Sequence, residues 1–196
     1  MTRGFVPLLS IVLAIGIGGL AWATEGFRII TSEGARQLSV ARHPIPVPDV
    51  RLLDQDGHTF SLADYRGRTV LVDFIYTRCP TLCGVLGDDF RRALASNPEA
   101  VSGHAVAFVS ISFDRADDRN ALQLYADRFG ATAPRWRVAA PAEASGLAML
   151  LRTFGVTFIP DGFGGFVHDD TIYVVDERGR LARMLDPDAL VAAVHP

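Results

Sequence analysis

The chain has 196 residues, of which 49% are hydrophobic and 21% are charged, and its formal net charge is −3. This length and balance suit one globular domain with a hydrophobic core, together with a short targeting segment. The slightly negative charge excludes a broad basic surface, and we therefore expect no nucleic-acid partner. Its two cysteines, Cys79 and Cys83, are too few and too close in sequence for a small disulfide-rich secreted scaffold.

The first 23 residues are predicted to be a targeting segment. Arg3 precedes an uncharged run from Phe5 to Ala23, which ends in small residues of the kind that a signal peptidase recognises. The run also has nearly the length that a bilayer-spanning helix requires. We therefore expect residues 1–23 to be a transmembrane anchor or a cleaved signal peptide, rather than a core helix. Either one exports the domain that follows, which in a bacterium means the periplasm.

Residues 24–47 are interpreted as a linker, because they lack clear periodicity and end in prolines that favour an extended spacer. The folded domain is expected to span residues 48–196. It begins with a predicted β-hairpin, in which Asp56-Gly57 lies between two short apolar runs. The elements predicted after it are strand Thr69–Tyr76, helix Leu82–Leu94, strand Ala105–Phe113, helix Asp117–Phe129, strand Arg135–Ala139, helix Ala142–Phe154, strands Thr171–Val175 and Leu181–Leu185, and helix Pro187–Val194.

The alternation of strands and helices predicts the fold class. Strands separated by helices are expected to run parallel, with right-handed crossovers, and the closing hairpin adds antiparallel strands. The sequence therefore predicts an α/β, thioredoxin-like fold, with a mixed central sheet flanked by helices and an N-terminal β-hairpin.

The two cysteines form the main candidate for chemistry. Cys79 follows a buried strand. It therefore lies at the carboxyl ends of the parallel strands, where sites gather in open α/β folds. The start of the next helix and the charge of Arg78 both favour its thiolate form. Cys83 lies one helical turn further on, so the two sulfurs are expected to meet, either in a disulfide or around a soft metal such as copper(I) or zinc. The alternative is a pair of cysteines that merely fills space in the core.

Two thiolates rarely complete a metal site, and a histidine is the expected third ligand. His168 lies in the segment Gly155–Asp170, which is too long for a simple turn and falls at the cysteine end of the sheet by strand polarity. The alternative for His168 is an ordinary histidine of a surface loop. The other histidines are expected away from the cysteines: His43 in the linker, His58 in the hairpin turn, His104 at the far end of its strand, and His195 next to the C-terminus.

The segment Asp73–Cys83, with the sequence DFIYTRCPTLC, resembles the signature of the SCO/SenC family of copper-binding cytochrome oxidase assembly proteins. Ser110–Asp114 is similar to the second strand of that family and its acidic end, and Phe166–Thr171 is similar to its histidine loop. The likeness runs from about residue 48 to the C-terminus. It implies a thioredoxin-like fold and one copper ion held by Cys79, Cys83 and His168.

Two functions are compatible with these residues. The first is a metallochaperone without turnover, which receives copper from a donor protein and passes it to the copper-site subunit of cytochrome c oxidase. The second is a thiol–disulfide oxidoreductase, in which Cys79 attacks a partner's disulfide and Cys83 resolves the mixed disulfide. The three-residue spacing of the cysteines, and the lack of a proline directly before Thr171, favour the metallochaperone. A peroxidase is disfavoured because no peroxide-activating set is apparent.

Overall fold

The structure is a computed structural model, and it describes residues 5–23, 32–79, 82–96 and 105–190. The chain divides into two compact units, Met1–Arg42 and His43–Pro196. The first unit contains helices α1 (Phe5–Ala23) and α2 (Ser32–Arg42). Within the part of the chain that the structure describes, no helix meets the length and apolarity needed to cross a bilayer. The anchor, the signal peptide and the domain boundaries stay predictions.

The second unit is built on a mixed sheet. The strands of the described residues are β1 (Ile45–Pro46), β2 (Leu52–Asp54), β3 (Thr59–Phe60), β4 (Thr69–Ile75), β5 (Val106–Ser112), β6 (Trp136–Pro141), β7 (Phe158–Pro160), β8 (Phe166–His168), β9 (Ile172–Val175) and β10 (Arg180–Leu185). Eight of them lie side by side in the order β1-β10-β9-β4-β5-β6-β2-β3. β4, β5 and β6 form a parallel centre, which antiparallel strands flank on both sides. β7 and β8 pair separately, as an antiparallel hairpin.

Helices cover both faces of this sheet; those of the second unit are α3 (Leu82–Ser96), α4 (Arg119–Phe129) and α5 (Ala144–Phe154). The Phe90 ring of α3 contacts Phe108 of β5 at 5.0 Å between ring centroids, and the Phe154 ring of α5 contacts Phe74 of β4 at 5.3 Å. In the parallel register Phe108 lies beside Leu71. Because side chains alternate along a strand, Leu71 and Phe74 point to opposite faces, so α3 and α5 pack on opposite sides of the sheet.

The central strands and their helices follow from local sequence. β4 and β5 are almost continuously apolar and buried, as strands covered by helices on both faces must be. α4 begins at a side-chain cap, where Asp118 Oδ1 accepts the Ala121 N–H at 2.9 Å. It ends at Gly130, whose φ of +72° is the left-handed conformation that glycine adopts without strain. The Asp118 cap fixes the end of the loop between β5 and α4, and this loop contacts Thr77 and Arg78.

The predicted thioredoxin-like architecture is confirmed, and three segments differ from the prediction in detail. Residues 32–42 form a helix, and Ile45 pairs with Leu181 of β10, where an extended linker was expected. The segment Gly155–Asp170 contains the β7–β8 hairpin. The last predicted helix starts as a 3₁₀ turn at Pro187–Ala189, and most of its remaining span lies outside the described residues. β1 has only two residues, which is too short to show a period, so the local pattern does not reveal it.

Candidate metal centre

Cys79 lies in a tight turn at the carboxyl end of β4. The Cys79 N–H donates a hydrogen bond of 3.1 Å to the carbonyl oxygen of Tyr76, which closes the turn. The residue is buried, with 6% of its surface exposed. α3 begins three residues later at Leu82 and runs for 15 residues. Cys79 therefore precedes a helix N-terminus, a place where backbone N–H groups and the helix dipole favour a thiolate.

The turn is tied to the loop that follows β5. The backbone N–H and the hydroxyl of Thr77 donate to the Asp117 carboxylate at 2.8 and 2.7 Å. The guanidinium of Arg78 donates to Asp114 at 2.6 Å, and this carboxylate raises the pKa of Arg78 above its usual value. The charge of Arg78, expected from the sequence to favour the Cys79 thiolate, is therefore balanced by Asp114. The helix N-terminus remains as the feature that favours the thiolate.

His168 is the last residue of β8, and 7% of its surface is exposed. Its Nδ1 lies 2.6 Å from the carbonyl oxygen of Asp169. A carbonyl oxygen only accepts hydrogen bonds, so Nδ1 carries the hydrogen and Nε2 is the nitrogen suited to bind a metal. The imidazole ring stands edge-on to Tyr76 and Phe113, at 5.8 and 5.2 Å between ring centroids. Tyr76 therefore joins the His168 region to the turn that presents Cys79.

Aromatic residues hold the β7–β8 hairpin against the end of the sheet. Phe158 of β7 stacks on Phe113 at 4.6 Å between centroids, with only 15° between the ring planes. Phe166 of β8 packs edge-on to Tyr76 at 5.3 Å, and the Tyr76 hydroxyl donates to the Phe166 carbonyl oxygen at 3.2 Å. The hairpin turn is closed by Asp161, whose Oδ1 accepts two backbone N–H groups. His168 is thus buried on an ordered hairpin, and the surface-loop interpretation is wrong.

The remaining predicted residues fall into two groups. Cys83 is the second residue of α3, but its side chain and residues 80 and 81 lie outside the described part, so its partnership with Cys79 stays a prediction. His104 and His195 also lie outside the described residues. His43 is exposed, and the His58 side chain is 73% exposed in the turn between β2 and β3, where the sequence placed it.

A second group of potential ligands lies in the turn between β2 and β3. Ligand atoms of Asp54, Asp56 and His58 come within 4.8 Å of one another. However, Asp54 Oδ1 already accepts the backbone N–H groups of Asp56 and His58, and Asp54 Oδ2 lies 3.3 Å from the guanidinium of Arg137. A cation here would compete with these bonds and be repelled by Arg137. This group caps the turn and pairs a buried charge, and we assign it no metal.

Asp73 is a buried acid on the strand that leads to Cys79. Burial raises its pKa to about 7, and the neighbouring Ser110 hydroxyl offsets this rise only in part. Among the described residues, neither carboxylate oxygen has a hydrogen bond of ordinary geometry. Ser110 is held in turn by the Trp136 indole N–H, which donates to its hydroxyl at 3.0 Å. The chain thus tolerates a costly buried acid six residues before Cys79.

The aromatic hairpin and the contact between Asp117 and Thr77 are not among the predictions from the sequence. The signal for the hairpin was present: two short apolar runs, Phe158–Pro160 and residues 166–167, flank the glycine-containing turn 161–165. Asp117 was placed at the start of a predicted helix, but no local pattern indicates its bond to a residue 40 positions away.

The sheet, its helices and the placement of Cys79 at the end of β4 define a thioredoxin-like protein. A model of the SCO1/SenC family matches residues 43–195, and the chain therefore belongs to this family. The resemblance found in the sequence is confirmed. A comparison with curated protein sequences finds no match.

Solved structures of family members agree with the fold. The apo Sco1 protein from Thermus thermophilus is 27% identical, with a TM-score of 0.61 over 78% of this chain and 91% of that chain. ScoI of Bradyrhizobium japonicum, solved with copper bound, is 21% identical, with a TM-score of 0.64 over 76% and 97%. BsSco, described as a member of the Sco family of cytochrome c oxidase assembly proteins with a disulfide switch, is 20% identical, with a TM-score of 0.63 over 78% and 92%. The likeness extends over nearly the whole length of each.

Proposed function

We propose that this protein is a copper metallochaperone for cytochrome c oxidase assembly, and that it binds one copper ion through Cys79, Cys83 and His168. One observation carries the proposal: Tyr76 contacts both parts of the site. Its carbonyl oxygen accepts the Cys79 N–H, and its ring lies against the His168 imidazole. Family relatives support copper as the metal, since ScoI proteins of Bradyrhizobium japonicum and Arabidopsis thaliana were solved with copper bound.

The donor set fits copper(I). Two thiolates and one imidazole are soft or borderline ligands, and this combination favours copper(I) over hard cations. Asp169 orients the ring of His168 through its carbonyl oxygen, so that Nε2 serves as the ligand. The helix that follows Cys79 favours the thiolate, which is the form that binds metal. Copper is cargo here: a donor protein loads the site, and ligand exchange passes the ion to the copper centre of an oxidase subunit.

We propose that the protein is located on the exported side of the membrane, in the periplasm. The uncharged helix Phe5–Ala23 supports export, either as an anchor or as a cleaved signal. A reporter enzyme that is active only outside the cytoplasm, fused after Pro196, should therefore be active. Activity from a cytoplasmic reporter alone would contradict this localisation. Sequencing the N-terminus of the mature protein separates the two forms, because a chain that begins at Thr24 has lost its signal.

A thiol–disulfide oxidoreductase remains the second candidate, because Cys79 and Cys83 lie close enough in sequence to form a disulfide. In this function Cys79 would attack a disulfide of an oxidase subunit, and Cys83 would then release the reduced product. The orientation of His168 argues for copper, because thiol–disulfide exchange between two cysteines does not require a neighbouring imidazole held in one tautomer. The two functions also combine, since only reduced cysteines bind copper(I) well.

Copper(I) titration of the purified, reduced, full-length chain against a competing chelator tests the proposal. We expect one copper per chain, loss of binding in Cys79→Ser and Cys83→Ser, and weak binding by the oxidised protein, whose disulfide sulfurs are poor ligands. His58→Ala is the matched control, because this histidine belongs to the only other group of potential ligands among the described residues. Equal affinity before and after reduction would show that the cysteines do not bind the metal.

A further inference from the structure

We propose that Asp117 is a positioning residue for Cys79, whose carboxylate holds the turn that presents the thiol. The inference rests on the proposed function only where it assigns copper to Cys79. Asp117 lies in the loop between β5 and α4, 38 positions after Cys79 in the printed sequence. It is not placed among the metal ligands, and its contacts run to the turn instead.

Three donors converge on the Asp117 carboxylate. Thr77 contributes its N–H at 2.8 Å to Oδ2 and its hydroxyl at 2.7 Å to Oδ1, and the Ser112 hydroxyl donates to Oδ2 at 2.6 Å. The residue is 8% exposed, so water competes little for these bonds. Hydrogen bonds to an ionised carboxylate are about twice as strong as those between neutral groups. Both ends of the carboxylate therefore hold Thr77, which lies two residues before Cys79.

The loop that carries Asp117 is itself held in place by hydrogen bonds. Its own N–H donates to the Asp114 carbonyl oxygen at 3.1 Å, and the next residue, Asp118, caps α4. Ser112 ends β5 and lies beside Ile75, the last residue of β4, in the parallel register. The contact therefore ties the turn to both central strands and to the start of a helix. We call these contacts of Asp117 with Thr77 and Ser112 the turn clamp.

The turn clamp acts on the part of the backbone that sets the position of the Cys79 sulfur. Thr77 and Arg78 are the central residues of the turn that the Cys79 N–H closes. If Thr77 is released, these residues regain backbone freedom, and that freedom must be lost again when a metal binds. Removing a residue that orients a metal ligand typically weakens metal binding by about 10- to 100-fold. We expect an effect at the lower end of this range, because the Cys79–Tyr76 bond remains.

Single substitutions can weaken the clamp without changing its shape. In Asp117→Asn one oxygen becomes an NH₂ group, which cannot accept a hydrogen bond. Either the Thr77 hydroxyl, or the Thr77 N–H together with the Ser112 hydroxyl, then loses its acceptor. Thr77→Val removes the hydroxyl donor alone, whereas Thr77→Ser keeps both donors. Asp118→Asn is the matched control: it is the same change at the neighbouring residue, and asparagine also caps helices well.

The first measurement does not involve copper. In the reduced full-length chain carrying Cys83→Ser, the alkylation rate of Cys79 is followed over a range of pH. We expect Asp117→Asn and Thr77→Val to raise the rate at high pH several-fold, because the buried thiol becomes accessible more often. Asp118→Asn and Thr77→Ser should follow the parent. A merely stabilising role would change the unfolding midpoint and leave this profile unchanged in the folded protein.

The second measurement is copper(I) titration with both cysteines present. Asp117→Asn and Thr77→Val should raise the dissociation constant about tenfold, and the two controls should leave it unchanged. Alkylation rates and affinities equal to those of the parent would overturn the inference. If the parent itself binds no copper, the proposed function fails and the alkylation profile alone decides about Asp117. If Asp117→Asn does not fold, the comparison of Thr77→Val with Thr77→Ser decides.

Discussion

His168 offers the sharpest test of the site, because its packing and its metal binding can be separated by substitution. Its ring contacts Tyr76 and Phe113, and its Nδ1 donates to the Asp169 carbonyl oxygen. Each aromatic contact is worth about 0.5–1.5 kcal/mol, and the hydrogen bond about 1 kcal/mol. His168→Ala loses all three and should lower the free energy of unfolding of the metal-free protein by about 2–4 kcal/mol. His168→Phe keeps the ring contacts and loses only the hydrogen bond, so its free energy of unfolding should fall by about 1 kcal/mol.

The copper affinity should follow a different order. Both substitutions remove the imidazole, so both should raise the copper(I) dissociation constant about 10-fold or more, even though His168→Phe remains nearly as stable as the parent. Denaturant unfolding of the metal-free chain measures the first quantity, and copper(I) titration against a competing chelator measures the second. Affinity that tracked stability, high in His168→Phe and low in His168→Ala, would indicate a packing role only.

An unchanged titration curve for His168→Phe would remove this residue from the metal site. In that case the oxidoreductase would become the better proposal, and the exchange rate of the Cys79–Cys83 pair with a disulfide substrate would be the quantity to measure. His58→Ala serves as the control in both assays, since its side chain is exposed and lies on a different hairpin.

Two further predictions concern residues around the site. Tyr76→Phe removes the hydrogen bond to the Phe166 carbonyl oxygen but keeps the ring contacts. It should therefore lower the free energy of unfolding by about 1 kcal/mol and weaken copper binding by about fivefold at most. A loss of copper affinity as large as that of His168→Ala would contradict this prediction. Asp73→Asn removes a buried acid whose folded-state pKa, about 7, exceeds its unfolded value of 3.8. The folded parent binds this proton more tightly than the unfolded chain, so the stability of the parent should fall by about 3 kcal/mol relative to Asp73→Asn as pH rises from 5 to 8. Unfolding curves at several pH values check this, and a constant difference between the two proteins would show that Asp73 does not titrate there.

Much of the fold was predictable because its signals are local. The apolar run Thr69–Ile75 indicates a buried central strand, and the helical spacing after Leu82 places a helix start beside Cys79. Alternating strands and helices then leave few topologies. The candidate thiol at the end of a parallel strand follows from these local patterns alone. Strand polarity selected His168 among the histidines, and the family resemblance added the identity of the metal.

The surroundings of the site were decided by tertiary structure. The hairpin that carries His168 is held by Phe113, which lies more than 40 positions earlier in the chain, and by Tyr76, which lies 90 positions before Phe166. The bond between Thr77 and Asp117 spans 40 positions. Sequence periodicity reports on a window of one or two turns, whereas these contacts depend on how β4, β5 and the hairpin come together. The sequence alone determined which side chains can bind a metal; the packing of distant strands determined that His168 is buried beside Tyr76 and that the Cys79 turn is clamped.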